Sequence, residues 1–487
     1  MSEKLSIPRL ATGVPGLDNL LGGGLPEFSF NLIAGSPGTG KTTLAHQIMF
    51  SLANLDNRAL FFTVLGEPAL KMLRYQQQFS FFDFNKINES IRYVNLSADL
   101  MDGNFDRVMS RIDEEVKGFS PSLVFVDSFR SVARSARRGE QGASELHRFV
   151  QRLGMQMTSW QATTFLIGEY LSPTSESESS PVFTVADGIL SLSQNLQRNS
   201  MVRKMQVVKM RGQSQATGFH TFRINEEGVQ VYPRAIIKQG VATASEAKVG
   251  VREERIPMGT PGLDEMLGGG LPEGYSLLVV GPSGSGKTIL ATEFLAEGAR
   301  RGEPGVIAAF EKSPSQLLNT KLSALVNAGQ VGVIDTRSLD LSIDQALNDM
   351  IKMINQMRAK RIVIDSLSGF ALALAPEFSE DFRGSLYRMV AELTGMGVTV
   401  LMTSELEDRY TDLRFSPFGS AFLADAIVVQ RYIEIESQFK RVVAVVKVRG
   451  SNHSKDIRLF DITDEGIVIG KTLSGYNGIM SGRPTVS

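Results

Sequence analysis

The chain repeats itself, and the repeat constrains its fold more than any other feature. Residues 12–27 read TGVPGLDNLLGGGLPE and residues 258–273 read MGTPGLDEMLGGGLPE, differing at four of sixteen positions. The same offset of 246 lays GSPGTGKT (35–42) over GPSGSGKT (281–288). Further on, SLVFVDSF (122–129) corresponds to RIVIDSLS (361–368) and VVKMRG (207–212) to VVKVRG (445–450), the last pair at an offset of 238. Four landmarks in one order mean two copies of one domain, expected at 1–240 and 241–487, joined by the polar linker IKQGVATASEAKVGVRE (236–252).

Within each copy the pattern alternates. A short apolar strand (SFNLIAG, YSLLVVG) enters a Gly-rich turn and an amphipathic stretch (TTLAHQIMFSLA, TILATEFLAEGA). Another strand follows, then more helical pattern, then an apolar strand ending in Asp. Such βαβα alternation predicts an α/β fold, a mostly parallel sheet flanked by helices. The last third of each copy predicts hairpins, closing on RINEEGVQV and DITDEGIVI with Asn or Asp and Gly at the turn. SPTSESESSP (172–181) reads as a surface loop and the tail GYNGIMSGRPTVS as loosely packed.

Composition removes several chemistries. Cysteine is absent, which excludes disulfides, thiolate zinc, iron–sulfur clusters and thiol nucleophiles. The four histidines (His46, His147, His220, His453) lack metal-ligand spacing. Lys+Arg number 51 against 52 Asp+Glu, a net charge of −1 that argues against a general polyanion binder and makes nucleic acid an unexpected partner. The N-terminus lacks an apolar signal region, and apolar runs such as LFFTVL are of strand length, so a cytoplasmic chain with no membrane partner is expected.

Both copies carry G-x-x-x-x-G-K-[ST] between a strand and a helix: Gly35, Ser36, Pro37, Gly38, Thr39, Gly40, Lys41 and Thr42, then Gly281, Pro282, Ser283, Gly284, Ser285, Gly286, Lys287 and Thr288. The glycines let backbone N–H groups turn toward phosphate oxygens, and the helix N-terminus adds partial positive charge. Lys41 and Lys287 are expected to reach the β- and γ-phosphates, Thr42 and Thr288 to offer hydroxyls to Mg²⁺. Asp127 and Asp365 close apolar strands at the edge where ligands of α/β sheets bind, and could hold that metal or merely cap a helix. The expected cofactors are ATP and Mg²⁺.

These residues resemble a known family. The PGLD-x-LLGGGLP lead-in, the phosphate loop, the V-D-S strand and the closing K-x-R-G are similar to those of the RecA-like ATPases of the KaiC group, over nearly the whole chain. The resemblance implies two tandem RecA-like P-loop domains, each ending in a β-hairpin. It also implies a homo-oligomeric double ring, a hexamer, with protein partners of a KaiB-like or signalling kind. In that group paired glutamates follow the second strand, and the first orients the attacking water. Copy 1 reads LGEP, with Gly66 taken for the first position and Glu67 for the second; copy 2 reads FEKS, with Glu311 first and Lys312 second. General-base help is worth about 10²–10⁴ in rate, so copy 2 is the expected hydrolase. The resemblance makes Lys209, Arg211, Lys447 and Arg449 fingers onto a neighbour's γ-phosphate; alternating surface charge on a hairpin is the plainer reading. Clock members of the group phosphorylate an adjacent Ser and Thr. Here Ala421 and Phe422 stand at those positions, with Ser420 and Ser416 nearby. A DNA-dependent motor and a protein kinase are the rival functions of the same fold.

Three other features are read plainly. RSARRGEQG (134–142) is expected to be a solvated loop, YQQQFSFFDF (75–84) core or a partner surface, and Trp160 a packing residue.

Overall fold

The computed structural model describes residues 7–64, 69–100, 105–128, 140–170, 181–197, 200–234, 254–310, 320–335, 341–379, 381–406, 420–479 and 485–486. The linker 236–252, the loop 172–180 and the basic stretch 134–139 lie outside them. Contacts divide the chain into two compact units, Met1–Arg234 and Ala235–Ser487.

The first unit is built on nine strands: β1 (Phe30–Gly35), β2 (Ala59–Thr63), β3 (Ile91–Asn95), β4 (Leu123–Asp127), β5 (Thr163–Glu169), β6 (Gly188–Gln197), β7 (Ser200–Met210), β8 (His220–Asn225) and β9 (Gly228–Tyr232). They lie in the order β9-β8-β7-β6-β1-β5-β4-β2-β3. The six strands from β6 to β3 run parallel, and β7 to β9 return antiparallel. The second unit repeats this with β10 (Ser276–Gly281), β11 (Gly305–Ala309), β12 (Val331–Asp335), β13 (Arg361–Asp365), β14 (Thr399–Glu405), β15 (Ala426–Ile435), β16 (Gln438–Val448), β17 (Ile457–Thr463) and β18 (Gly466–Thr472), ordered β18-β17-β16-β15-β10-β14-β13-β11-β12. Two tandem RecA-like domains are therefore present, with one topology.

The parallel core follows from composition. β1, β2 and β10 are buried at every residue, as strands covered on both faces must be. Helices cover them with one apolar stripe each. α1 (Phe105–Phe119) buries Val108, Met109, Ile112, Val116 and Phe119, while Arg111 and Glu115 pair at 2.8 Å on the outer face. α2 (Ile343–Met357) starts where Ser342 Oγ accepts from Gln345 N at 3.1 Å. The repeated lead-in is a clip: Asp18 accepts from Thr12 N (2.9 Å) and Oγ1 (2.8 Å), and Asp264 from Met258 N (2.6 Å).

The closing hairpins form, and their turns contain Asn225 with Gly228 and Asp464 with Gly466, as expected. Glu226–Glu227 and Asp464–Glu465 are the central residues, flanked by the pairs Asn225–Gly228 and Thr463–Gly466. The described part of the tail is mostly exposed, as expected, with one buried anchor. Tyr476–Asn477 pairs with Thr485–Val486, and Ile479 buries against Ile433 and Val442, because the adjoining hairpin offers an apolar face. Within 75–84, Phe81 and Phe82 pack on Phe50, whereas Tyr75 and Phe84 are exposed; Trp160 packs on the core.

Candidate nucleotide site

Each phosphate loop leaves the end of a buried strand and enters a helix, Lys41–Leu52 or Lys287–Arg300. The residues before those helices, Gly40 (φ 99°) and Gly286 (φ 101°), are left-handed. A Cβ there would lie 2.5 Å from Ile224 Cδ1 or 2.9 Å from Ile462 Cδ1, so the terminal hairpin closes each loop from behind and admits only glycine. No side chain caps either helix, which leaves the first-turn N–H groups to an anion.

The loop lysines fold onto their own loops. Lys41 Nζ donates to Ser36 O at 2.8 Å, and Lys287 Nζ to Gly281 O and Pro282 O, both at 2.8 Å. Burial pushes the Lys41 ammonium below its ordinary range, against the opposing pull of Glu169 and Asp127. Thr39 Oγ1 donates to Ser36 O (2.9 Å), and Ser285 Oγ to Gln430 Oε1 (3.1 Å). These bonds hold the loops in shape without using the backbone amides.

Thr42 Oγ1 donates to Asp127 Oδ2 at 2.7 Å, and Thr288 Oγ1 to Asp365 Oδ2 at 2.8 Å. Thr403 Oγ1 bonds the other oxygen of Asp365. A hydroxyl beside a carboxylate is a hard oxygen set that suits Mg²⁺ held by one or two protein oxygens and by phosphates. Among the described residues no group of three or more His, Asp or Glu could hold a metal by itself. In the first unit these side chains open onto a cleft of about 210 Å³, lined among others by Lys41, Thr42, Thr63, Asp127 and Glu169.

The four K-x-R cations sit elsewhere in their units. Lys209 Nζ donates to Phe183 O (3.2 Å) and Thr184 O (3.1 Å), and Arg211 to Asp187 Oδ1 (3.3 Å) and Thr184 O (3.4 Å). Lys447 Nζ donates to Ala421 O (3.4 Å) and Ala424 O (2.7 Å), and Arg449 to Asp425 Oδ1 (3.4 Å) and Phe422 O (3.0 Å). Lys209 pairs with Ile189, which lies beside Leu32, three residues before the loop begins at Gly35. At 3.3 Å per residue that is about 10 Å along the sheet. Ala421 and Phe422 stand on the short helix Ser420–Phe422; Ser416 lies outside the described residues.

Comparison with known proteins agrees with this geometry. The model of the KaiC ATPase family matches residues 10–236 and again 256–474. The chain belongs to the KaiC family of ATPases. It is 27% identical to the circadian clock oscillator protein KaiC of Picosynechococcus sp., over 98% of this chain and 93% of that protein. It is 28% identical to that of Prochlorococcus marinus (99% and 97%), and 26% identical to the circadian clock protein KaiC3 of Synechocystis sp. (99% and 95%). Family membership makes each unit an ATP-binding P-loop domain. No described helix is long and apolar enough to cross a membrane.

Gly66, Glu67, Glu311 and Lys312, set in the sequence against the paired glutamates of the resemblance, lie outside the described residues. The strands before them give one fixed point for comparing the two units. Val64 N donates to Asp127 O (2.9 Å) and Phe310 N to Asp365 O (3.0 Å), so these two residues correspond. Counted onward along the sequence from that pair, Leu65 aligns with Glu311, Gly66 with Lys312 and Glu67 with Ser313.

Sequence reading also missed Glu169 and Glu405. They close β5 and β14 and pair with Gly35 and Gly281, the first loop residues. The signal was present, because TTFLIGE and TVLMTSE end in an acid as LVFVD and RIVID do.

Proposed function

We propose that the chain is an Mg²⁺-dependent ATP phosphohydrolase whose domains, 1–240 and 241–487, each bind ATP, with the second leading hydrolysis. The observation that carries this reading is the loop threonine bonded to a strand-end aspartate, at 2.7 Å in one unit and 2.8 Å in the other. Lys41 and Lys287 would exchange their loop carbonyls for β- and γ-phosphate oxygens, and the uncapped N–H groups would hold the rest. Thr42 with Asp127, and Thr288 with Asp365, would hold Mg²⁺, which neutralises charge on the phosphate oxygens. Glu311 would orient water in the second domain.

The K-x-R cations lie toward the far end of the strand that feeds their own loop, which supports action on a neighbour's nucleotide and hence a ring, a hexamer of two tiers. Arg211 and Arg449 keep 60% and 48% of their side chains exposed, available to a second copy. Such a ring in the cytoplasm would present nucleotide-dependent surfaces to protein partners, KaiB-like or signalling, and work as a switch. Ala421 and Phe422 supply no hydroxyl for the adjacent phosphoacceptors of clock members.

The test measures ATP turnover and oligomer mass together for the wild type, Lys41→Ala and Lys287→Ala. The Lys287 variant should lose most turnover and the Lys41 variant little. Equal turnover in all three would overturn the reading.

A further inference from the structure

We infer that the Thr63 hydroxyl is an ATP-selecting contact of the first unit, reaching the γ-phosphate end of the nucleotide through a water in the cleft. The inference rests on the ATP-binding reading of that unit and names a group by which it tells ATP from ADP.

Three observations converge. First, Thr63 is 3% exposed and lines the cleft together with Lys41, Thr42 and Asp127, yet among the described residues its hydroxyl has no hydrogen-bond partner. Its main-chain carbonyl accepts from Leu96 N at 2.8 Å, so the backbone is engaged where the side chain is not. A buried hydroxyl without a partner weighs against folding, and calls for a ligand or water that completes it.

Second, Thr63 stands at the far side of the metal pair. It pairs with Asp127 in parallel register, so both side chains leave the same face of the sheet. Counted from the phosphate-loop strand, the order is β1, β5, β4, β2. At about 4.8 Å per strand, Thr63 lies about 14 Å across the sheet from Gly35. The bond from Thr42 Oγ1 to Asp127 Oδ2 lies between them. A molecule at Thr63 therefore meets the end of a phosphate chain rather than its start. ADP lacks that end, so a contact there counts for ATP alone.

Third, the second unit places its hydroxyl differently. Ala309 pairs with Asp365 where Thr63 pairs with Asp127. Thr403, on the opposite neighbouring strand, donates to Asp365 Oδ1, and Ile167 stands in that place in the first unit. One unit spends its strand hydroxyl on its aspartate; the other keeps it in the cleft. The contact is thus peculiar to the first unit, and the second serves as an internal control.

The experiment uses the full-length chain with Mg²⁺ and reads the phosphate-loop peptides of each unit by hydrogen exchange. The chain is titrated with ADP, and separately with a non-hydrolysable ATP analogue whose β–γ bridge is NH. Thr63→Val keeps the shape and removes the hydroxyl. It should weaken first-unit affinity for the analogue by about three- to tenfold, the net worth of one hydrogen bond, and leave ADP affinity within about twofold. Thr63→Ser should restore the preference. Without nucleotide, the first unit of the Val variant should resist urea better than wild type, because a buried unpaired group has gone. Second-unit affinities should not move. Analogue affinity within about twofold of wild type in the Val variant, equal losses for analogue and ADP, or a Ser variant that behaves like Val overturns the inference while the ATP-binding reading stands. If the wild-type first unit binds neither nucleotide, that reading fails and the inference with it.

Discussion

One turn past the loop threonine, the two units differ. In the first, His46 donates Nδ1–H to Thr42 O at 2.7 Å and packs 4.5 Å from the Phe61 ring. In the second, Thr292 donates to Thr288 O at 3.0 Å. A similar exchange opens the strand that ends in Asp127 or Asp365. Leu123 is an ordinary core residue, whereas Arg361, at 0% exposure, bonds Glu303 at 2.8 Å and the carbonyls of Pro257 (2.8 Å) and Phe294 (3.1 Å). Thr63 has its counterpart in Ala309 of the second unit, and Ile167 in Thr403. The glycines, the lysine and the final threonine of the loop are the same in both units; the residues that brace them are not. Loop geometry tolerates little change, because backbone N–H groups must aim at one point. The surroundings need only fill volume and satisfy polar groups.

The largest expected inequality is catalytic. Glu311→Gln should lower steady-state ATP turnover by about 10²–10⁴, whereas Glu67→Gln should change it little. Comparable losses from both would erase the distinction between the units. Second comes the buried arginine. Arg361→Ala should destabilise the second unit by about 3–5 kcal/mol, because it strands Glu303 and two carbonyls. Importing the first unit's residues, Arg361→Leu with Glu303→Asn, should cost less. Peptide-resolved hydrogen exchange against urea separates the two units in the full chain.

The third prediction concerns pH. Burial lowers the His46 pKa to about 4, below its unfolded value of 6.5. The unfolded state therefore binds more protons between those values, and the first unit loses up to about 3 kcal/mol as pH falls through that window. Asp264 behaves oppositely: burial raises it to about 6 from 3.8, so its contribution is present below 3.8 and lost as pH rises through 6. Acidification from pH 6.5 to 4 should therefore weaken the first unit and relieve the second, as read by hydrogen exchange. His46→Thr should remove the first effect, and an unchanged slope in that variant would refute it. The smallest effect is on the exposed K-x-R ion pairs. Arg211→Ala and Arg449→Ala should shift unit stability by no more than about 1 kcal/mol, even where turnover falls.

Most of the loop was legible in the sequence. Gly40, Lys41 and Thr42 must follow one another at fixed spacing, since a single turn of backbone presents them all. Asp127 and Asp365 were legible because each ends an apolar run. Glu169 was harder to see, since its strand carries Thr163 and Thr164 and its partner in the site, Gly35, is 134 residues away. Thr63 gave no signal at all; a threonine in ALFFT is an unremarkable strand residue until the sheet places it over the cleft.

The sequence by itself determined that there are two copies, that each holds a phosphate loop between strand and helix, and where the lysines and hydroxyls of that loop fall. These are local properties, set by spacing along one chain. Only the tertiary structure decided which strand ends meet. It put Glu169 on the strand between those of Gly35 and Asp127, and set the K-x-R cations back along the sheet from their own loop. The physical reason is that strand order and register are fixed by main-chain hydrogen bonds between residues distant in sequence.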